Sequence, residues 1–365
     1  MKSMQILIYG AGKNGKKLLD LILREELCDY EIVGFCDQAK TGKIEKYSIF
    51  TIDKYENYKG VIIIAIEKIE VAIEVCKKLE LTGYNKILWF NGKRRSNKGD
   101  VLNQWCVSCE YWKDSILPQV EMHIIDSCNL NCRGCTHFSP IFSDELPDLR
   151  LRLKDVEILK RKVSHIVEFY ILGGEPFLNP EIGDYAKEIR KLLPYTSIYI
   201  VTNGILIPKV SDEILRCIEE NNICISISEY RPTQDLIERI CSRLDKFGIF
   251  YEIRDAKFKE KFNLPLTLNK QSKYPQLCIS NGCITIWNGK IARCPTLMYI
   301  EKFNEYFDVS LPNGGIMKLN ECPSGNELLK LLCQEVPLCK HCVCNEIVWS
   351  RCGKIVKLED FATDK

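Results

Sequence analysis

Over residues 1–95, the hydrophobic positions follow strand spacing in some segments and helical spacing in others, and the two kinds of segment alternate along the chain. The predicted strands are Gln5–Tyr9, Glu31–Cys36, Val61–Ile66 and Lys86–Phe90, and the predicted helices are Gly15–Leu27 and Ile69–Leu81. Strands that alternate with helices predict a parallel α/β sheet. The polar, basic and glycine-containing segment Asn91–Asp100 follows as the best linker candidate in the chain.

The same alternation returns over residues 119–256. The predicted strands are Val120–Ile125, Glu168–Leu172, Ser197–Val201, Ile223–Ser228 and Phe250–Ile253, and the predicted helices are Lys154–His165, Glu181–Leu192, Asp212–Glu220 and Asp235–Phe247. Such a run of βα units predicts a full or partial β/α barrel. Residues 257–365 are irregular and cysteine-rich, with one predicted hairpin of Cys283–Trp287 and Lys290–Arg293. We therefore expect an α/β protein with domains at 1–98, 119–256 and 257–365.

The composition narrows the possible functions. The 365 residues include 51 basic and 49 acidic ones, a net charge of +2, so charge calls for neither nucleic acid nor a membrane surface as partner. The apolar runs are too short to span a bilayer, and Met1 leads almost directly into a strand without a signal-peptide pattern. We therefore expect a cytoplasmic protein. In that reducing compartment the 20 cysteines, many of them between Cys278 and Cys352, indicate metal ligation rather than disulfides.

Three cysteines stand at C-x3-C-x2-C spacing directly after the first strand of the predicted barrel. They are Cys128, Cys132 and Cys135. Barrels of this kind carry their catalytic groups on loops at the carboxyl ends of the strands, so the loop is well placed for a cofactor. Three thiolates around a 4Fe–4S cluster would leave one iron open to a small molecule. The alternatives are a zinc site completed by His137 and a set of merely buried thiols.

The spacing and position of these cysteines resemble the signature of the radical S-adenosylmethionine (SAM) superfamily. The resemblance is strongest over residues 119–256. It implies that Cys128, Cys132 and Cys135 hold a 4Fe–4S cluster whose open iron binds SAM. It also implies reductive cleavage of SAM to a 5′-deoxyadenosyl radical, which takes a hydrogen atom from the substrate. An electron donor such as flavodoxin or ferredoxin is implied as a partner.

Two further motifs resemble this family at the ends of the next two strands. One is the GGEP segment that begins at Gly173, and the other is the TNG segment that begins at Thr202. Glycines allow close approach of the backbone, and a carboxylate accepts hydrogen bonds from an ammonium group. The resemblance implies that the following residues bind SAM: Gly173, Gly174, Glu175, Thr202, Asn203, Ser226 and Ser228.

One position departs from the family pattern. Many members carry an aromatic residue directly before the last cysteine of the motif, where this chain has Gly134. The departure concerns the contact with adenine, for which Phe138 or another aromatic residue is a candidate substitute.

The C-terminal cysteines are similar to those of the SPASM and twitch extensions of radical SAM enzymes. Cys278 and Cys294 flank Gly289 in a C-x10-G-x4-C pattern, and Cys339 and Cys342 form a C-x2-C pair. The similarity implies that these four cysteines hold one auxiliary 4Fe–4S cluster of the twitch type. A zinc ribbon is the alternative, and a second auxiliary cluster stays open.

Other cysteines have less definite roles. Cys283 is a candidate hydrogen-atom donor for an epimerisation, against the commoner role of a buried structural thiol. Cys106 and Cys109 form another C-x2-C pair, but no partner pair stands beside them, and we leave them unassigned.

The N-terminal region carries a G-x-G-x-x-G loop between a strand and a helix. Gly10, Gly12 and Gly15 would let a phosphate approach the helix N-terminus, and Asp37 ends the second strand, where it would bond a ribose hydroxyl. This resembles a Rossmann-like nucleotide-binding half, similar to small N-terminal domains of sugar-modifying proteins. The alternative is a docking scaffold that keeps the loop only because the fold needs a tight turn.

Together these features predict a radical SAM enzyme that acts on a small molecule. The expected fold is a Rossmann-like domain, a partial β/α barrel and a small cysteine-rich C-terminal domain. The expected reaction, an oxidoreductase or epimerase reaction, is dehydrogenation or epimerisation of a carbohydrate or nucleotide-linked sugar. The rivals are a peptide-modifying enzyme, although no winged-helix leader-peptide module is evident, and a non-catalytic iron–sulfur or zinc redox regulator.

Overall fold

The computed structural model describes residues 4–24, 30–55, 58–96, 98–254, 261–274, 278, 280 and 282–363. The chain forms two compact units, Met1–Lys113 and Asp114–Lys365. In the described part of the chain, no helix combines the length and the apolar character that crossing a bilayer requires.

In its described residues, the first unit has a seven-stranded sheet and three α-helices. Its strands are β1 (Met4–Tyr9), β2 (Tyr30–Cys36), β3 (Gly42–Ile44), β4 (Tyr47–Phe50), β5 (Val61–Ile64), β6 (Ile87–Trp89) and β7 (Val107–Ser108), and its helices are α1 (Lys13–Arg24), α2 (Ile69–Leu81) and α3 (Val101–Trp105). The sheet order is β3-β4-β2-β1-β5-β6-β7. Strands β2, β1, β5 and β6 are parallel, which confirms the predicted parallel α/β sheet.

The predicted elements of this unit agree with the observed ones, with small differences at their ends. Helix α1 is described to Arg24, and the rest of its predicted span, to Leu27, lies outside the described residues. Beyond the predicted linker, β7 pairs with β6, and Val101 and Leu102 are buried in the same apolar core as Phe90. For this reason the first compact unit extends to Lys113.

The second unit begins with alternating strands and helices. These elements are β8 (Ile116–His123), α4 (Leu149–Lys162), β9 (His165–Leu172), α5 (Ile182–Leu192), β10 (Ser197–Thr202), α6 (Asp212–Glu220), β11 (Cys224–Ser228), α7 (Arg231–Gln234), α8 (Ile237–Lys246) and β12 (Tyr251–Arg254). Neighbouring strands from β8 to β12 are parallel. The arrangement confirms the predicted partial β/α barrel.

The remaining elements extend this sheet and form a small second one. They are β13 (Lys261–Thr267), β14 (Ile284–Trp287), β15 (Lys290–Ala292), α9 (Pro295–Met298), α10 (Ile300–Phe307), β16 (Met317–Lys318), α11 (Gly325–Cys333), β17 (Cys342–Val348) and β18 (Ala362–Thr363). The large sheet has the order β12-β11-β10-β9-β8-β14-β15-β16, and the small one β17-β13-β18. The predicted hairpin is confirmed as β14 and β15, and β14 pairs in parallel with β8.

Strand alternation divides the barrel residues between the core and the opposite face. Successive side chains of a strand point to opposite faces of the sheet. The apolar set packs against helices α4, α5, α6 and α8 and includes Met122, Ile171, Ile200 and Ile227. The side chains on the opposite face of the strands point away from these helices and surround the candidate active site.

The buried imidazole at the start of β9 predicts a pH-dependent loss of stability. Burial lowers the pKa of His165 from its ordinary value of 6.5 to about 4. Between these values the unfolded chain binds a proton that the folded chain does not, so the free energy of unfolding falls as the pH falls, by up to about 3 kcal/mol. Urea denaturation of the metal-free protein at pH 6.5 and pH 4 should show a smaller loss for His165→Gln than for the wild type. Equal losses in the two proteins would contradict this assignment.

Candidate active site

A cavity of about 750 Å³ opens at the carboxyl ends of the barrel strands. The alternate strand residues that do not join the helix-facing core form its wall. These are Gln119, Glu121, Tyr170, Leu172, Val201 and Arg254. The position matches the one at which barrel folds carry their catalytic groups.

The three cysteines of the central motif all line this cavity. The loop that carries them follows β8 and turns through left-handed backbone at Asn131 and Gly134, where φ is 50° and 72°. The two turns lie between the three cysteines, Asn131 before Cys132 and Gly134 before Cys135. In the described part of the chain, no three His, Cys, Asp or Glu side chains stand as a ready site for a metal ion.

The donor set nevertheless suits a multi-iron cluster, which is larger than a single ion. Three thiols open into one cavity, and thiolates are the usual ligands of iron–sulfur clusters. Ser139 also lines the cavity, and its buried hydroxyl has no hydrogen-bond partner among the described residues. The cavity therefore has both the ligands and an unused polar group for a bound cofactor.

The environments of the three thiols differ. Burial raises the pKa of Cys128 to about 12, and burial also raises the pKa of Cys132. Burial pushes the pKa of Cys135 upward too, but a hydrogen bond from His137 and its charge outweigh this, so the pKa of Cys135 lies below its ordinary value. Iron binding would hold all three as thiolates, since a coordinated thiol loses its proton.

His137 forms a hydrogen bond with one of the three thiols, that of Cys135. Burial disfavours the charged imidazole, but hydrogen bonds with Cys135 and Glu121 raise the pKa of His137 to about 10. Its Nε2 lies 3.3 Å from Oε1 of Glu121. The imidazole thus forms part of a charged network next to the cysteine loop. The zinc alternative that uses His137 as fourth ligand stays a prediction.

The two glycines after β9 allow the cysteine loop to pack closely. A Cβ atom on Gly174 would lie 2.0 Å from the carbonyl oxygen of Ser127, and one on Gly173 would lie 2.1 Å from that of Ile125. Backbone bonds hold the same contact, because the Gly174 N–H donates to Ile125 and the Glu175 N–H donates to Ser127. Both glycines also line the cavity. They therefore join the GGEP segment to the loop that carries Cys128.

Glu175 ties the GGEP and TNG segments together. Its side chain is fully buried, and its oxygens accept hydrogen bonds from the Thr202 hydroxyl at 2.7 Å and the Asn203 backbone N–H at 2.9 Å. Burial raises the pKa of Glu175 to about 7, although these bonds lower it. The Asn203 side chain in turn donates to Asn129 at 2.7 Å. Thr202 and Asn203 line the cavity, whereas Glu175 stands behind them.

The two serines of β11 have different positions. Ser228 lines the cavity, whereas Ser226 is fully buried and donates to Glu252 at 2.7 Å. The Nε of Arg254 donates to the Ser226 hydroxyl at 2.9 Å, and Arg254 itself lines the cavity. Ser226 thus lies one step behind the cavity wall and contacts a residue that forms it.

Aromatic side chains beside the cysteine loop come from distant parts of the chain. Phe138 is fully buried among other aromatic residues, including Phe303, and does not line the cavity. Tyr230 and Phe262 do line it, with ring centroids 6.3 Å apart. A Cβ atom on Gly134 would lie 3.2 Å from the Phe262 ring. The same atom would lie 2.2 Å from the Asn263 carbonyl oxygen, so β13 occupies the space that an aromatic residue at position 134 would need.

A second, smaller cavity of about 60 Å³ lies in the cysteine-rich part of this unit. The four cysteines of the predicted auxiliary site all line it, together with one more thiol: Cys278, Cys294, Cys339, Cys342 and Cys344. Ser280 borders both this cavity and the large one. Cys283 lines the large cavity, where burial raises its pKa to about 12.

The N-terminal glycine loop borders a separate cavity of about 360 Å³ in the first unit. Gly10, Gly12 and Asp37 line it, at the carboxyl ends of β1 and β2. Gly15 lies in α1, where a Cβ atom would be 2.0 Å from the Gly10 carbonyl oxygen. The Asp37 carboxylate accepts three backbone N–H bonds within its own neighbourhood, the shortest from Ala11 at 2.8 Å. These bonds outweigh burial and lower the pKa of Asp37.

Sequence reasoning pointed to the cysteine loop and to the GGEP and TNG segments, which lie beside this cavity, but it missed several residues of the cavity wall. Strand alternation was a usable signal for Glu121, Tyr170 and Arg254, because they share a face with other cavity residues. No local signal existed for Phe262 or Tyr230, since their positions depend on how the chain returns to the loop.

Comparison with known families agrees with this geometry. Residues 122–271 match the Radical SAM superfamily, and residues 5–79 match the PglD N-terminal domain. The first match begins at the end of β8 and covers the cysteine loop, strands β9 to β12 and the GGEP and TNG segments.

Two curated relatives match part of the chain. A GTP 3′,8-cyclase of Clostridium acetobutylicum is 32% identical over 100 residues, which are 27% of this chain and 31% of the relative. An S-adenosylmethionine-dependent nucleotide dehydratase of Flammeovirga pacifica is 33% identical over 94 residues, 25% of this chain and 32% of the relative. The chain therefore spans about a third of the length of these relatives.

Among solved structures, BtrN in complex with AdoMet and 2-DOIA resembles the chain at 12% identity with a TM-score of 0.39, over 63% of this chain and 94% of the other.

The fold and the cysteine loop define the second unit as an α/β protein with a partial barrel and a thiol-lined cavity at the carboxyl ends of its strands. The match to the Radical SAM superfamily, at residues 122–271, lies within this unit.

Proposed function

We propose that the chain is an enzyme that holds a 4Fe–4S cluster on Cys128, Cys132 and Cys135 and binds SAM beside it. The observation that carries this proposal is the opening of all three thiols into one cavity of about 750 Å³, next to the GGEP and TNG segments. When bound, the cluster supplies the electron that splits SAM into methionine and a 5′-deoxyadenosyl radical. This radical removes a hydrogen atom from the substrate.

The residues of the chain position SAM by contacts of different kinds. Gly173, Gly174, Asn203 and Ser228 line the cavity. In this proposal the backbone of the two glycines, the Asn203 side chain and the Ser228 hydroxyl would contact SAM. Glu175 acts from behind them, because it holds the TNG segment through two hydrogen bonds. Together with Thr202 and Ser226, these are the SAM-binding residues we propose.

An anaerobic cleavage assay tests this function. Reconstituted protein with SAM and dithionite should release 5′-deoxyadenosine, measured by chromatography and mass spectrometry. A chain that holds its cluster by iron analysis and electron paramagnetic resonance but releases no 5′-deoxyadenosine would refute the enzymatic proposal and favour a redox regulator. Flavodoxin or ferredoxin should replace dithionite as the electron donor.

Thr202→Val tests the hydrogen bonds behind the cavity wall. The substitution keeps the shape but removes the donor to Glu175 and the acceptor for the Gly204 N–H. We expect SAM affinity to fall about tenfold and the free energy of unfolding to fall by about 1–3 kcal/mol. Equilibrium dialysis of the reconstituted protein and urea denaturation measure the two effects.

Thr196→Val is the matched control. Its buried hydroxyl also donates one short hydrogen bond, to Ile166 at 2.7 Å, but lies outside the cavity. We expect a similar loss of stability and unchanged SAM affinity. An equal loss of SAM affinity in the two variants would show that Thr202 acts through general stability alone.

An auxiliary 4Fe–4S cluster on Cys278, Cys294, Cys339 and Cys342 is the second part of the proposal. Its support is the small cavity that all four thiols line. A zinc site is the alternative, and metal analysis separates the two. Iron for two clusters and their visible absorbance in anaerobically prepared protein support the cluster, whereas stoichiometric zinc overturns it.

The proposed substrate is a carbohydrate or nucleotide-linked sugar. The cavity of the first unit supports a nucleotide there, because it meets the carboxyl ends of β1, β2 and β5, where doubly wound sheets bind ligands. The named activities of the two curated relatives also concern nucleotides. Isothermal titration of the chain with nucleoside diphosphates and nucleotide sugars tests this binding.

Cys283 distinguishes the two proposed reactions. Its thiol lines the large cavity, so it can return a hydrogen atom to a substrate radical, and the resulting thiyl radical would take an electron and a proton before the next turnover. Turnover in D₂O would then place solvent deuterium in an epimerised product. A product two hydrogens poorer than the substrate, with no solvent deuterium at that carbon, indicates dehydrogenation, with the auxiliary cluster as electron acceptor.

A further inference from the structure

The segment Trp349–Cys352, here called the C-terminal strap, runs along the back of the cysteine loop. It follows β17 directly, and Arg351 forms an antiparallel bridge with Cys132. The Arg133 N–H donates to the Ser350 carbonyl at 2.9 Å, and the Cys352 N–H donates to the Asn131 carbonyl at 2.7 Å. The strap is therefore held to the loop by backbone bonds on both sides of Cys132.

A salt bridge and one more backbone bond extend this attachment. The Arg133 guanidinium lies 3.0 Å from the carboxylate of Asp360, and the Gly134 N–H donates to the Asp360 carbonyl at 2.7 Å. Arg133 and Gly134 lie between Cys132 and Cys135, so the chain that follows the strap is held to the same loop, and the backbone bonds of the strap fix its register relative to Cys132.

In this register, the side chain of Trp349 lies against Cys132, one of the proposed cluster ligands. The indole N–H of Trp349 donates to the sulfur of Cys132 at 3.1 Å. The Trp349 ring lies 5.8 Å from the Tyr230 ring, centroid to centroid, and this contact holds its orientation. Among the described residues, Cys132 lines the large cavity and Trp349 does not.

We infer that Trp349 raises the reduction potential of the SAM-binding cluster through its hydrogen bond to Cys132. This inference rests on the proposed function, because it requires a cluster on the three thiols. Reduction adds one negative charge to the cluster, and an N–H dipole directed at a ligand sulfur stabilises the more negative state. Hydrogen bonds to the sulfurs are among the factors that set the potentials of iron–sulfur clusters. Trp349 acts through Cys132 and touches no reacting atom.

Trp349→Phe is the test, because it keeps a ring against Tyr230 and removes only the donor. A redox titration without SAM, followed by electron paramagnetic resonance, measures the potential. We expect the ratio of reduced to oxidised cluster at a fixed potential to fall about tenfold, which is about 59 mV toward more negative values for a one-electron couple. A hydrogen bond to a charged group is strong enough for a shift of this size.

Trp105→Phe is the matched control, since it removes an indole from the first unit and should leave the potential unchanged. A Trp349→Phe variant with full iron content and the wild-type potential overturns the inference while leaving the proposed function intact. A wild-type chain without a cluster on this loop overturns the proposed function itself.

A measurement on the wild type tests the inference if the Trp349→Phe variant does not bind its cluster. With indole-¹⁵N tryptophan, pulsed electron paramagnetic resonance of the reduced cluster should detect a ¹⁵N coupling that survives Trp105→Phe. Absence of that coupling in cluster-loaded protein also overturns the inference.

Discussion

Replacing Cys128, Cys132 and Cys135 together with alanine is expected to abolish release of 5′-deoxyadenosine and to remove one whole cluster from each chain. The three thiols are the cysteines of the motif loop, and they open into a single cavity. Alanine offers no ligand, so the cluster has no thiolates to hold it at this position. Iron analysis, electron paramagnetic resonance and the SAM cleavage assay measure the result. The auxiliary cluster should remain.

Cys217→Ala with Cys241→Ala is the control for this experiment. Both thiols are partly exposed and lie on α6 and α8, and neither lines the two thiol-rich cavities. This variant should keep both clusters and its SAM cleavage. Undiminished 5′-deoxyadenosine release by the triple alanine variant would overturn the assignment of the catalytic cluster.

Gly174→Ala is expected to be the most damaging single substitution outside the cysteines. Its Cβ atom would stand 2.0 Å from the Ser127 oxygen and 2.7 Å from the Cys128 nitrogen. Both are backbone atoms, so a side-chain rotation cannot relieve the overlap, and the cysteine loop must move. We expect the free energy of unfolding to fall by about 3 kcal/mol and cluster loading to fall with it. Urea denaturation and iron content after reconstitution measure the two losses.

Gly183→Ala makes the same chemical change where there is room. The nearest atom to its added Cβ is the Cys217 sulfur, at 3.7 Å, and the residue lies inside helix α5. Alanine favours helix over glycine by about 0.5–1 kcal/mol, so this variant should be as stable as the wild type or slightly more stable. Similar losses in the two variants would show that close packing at Gly174 is not the cause.

Local pattern was sufficient for the parts of this protein that depend on neighbouring residues. The spacing of Cys128, Cys132 and Cys135 and the alternation of Val120–Ile125 predicted a thiol loop after a barrel strand, which the structure contains. Helix α6 has the predicted bounds because its apolar positions repeat at helical spacing and Ser211 caps it.

The path of the chain after the barrel determines contacts that local sequence patterns do not predict. Strand β14 pairs with β8 on the side opposite to β9, and nothing in the sequence of either strand predicts this pairing. Phe262 approaches Gly134 only because β13 passes the cysteine loop, and Phe138 turns into the core instead. These placements depend on sheet register over long sequence separations.

The sequence by itself singled out the residues that we propose carry chemistry: the loop cysteines, the GGEP and TNG segments and the four C-terminal thiols, because their spacing and their places after strands are local properties. Only the tertiary structure decided how they act on one another. It placed Glu175 behind the cavity wall and brought Trp349 to Cys132 across 217 positions of the chain. The physical reason is that hydrogen bonds between distant segments form only where packing of the whole fold aligns donor and acceptor.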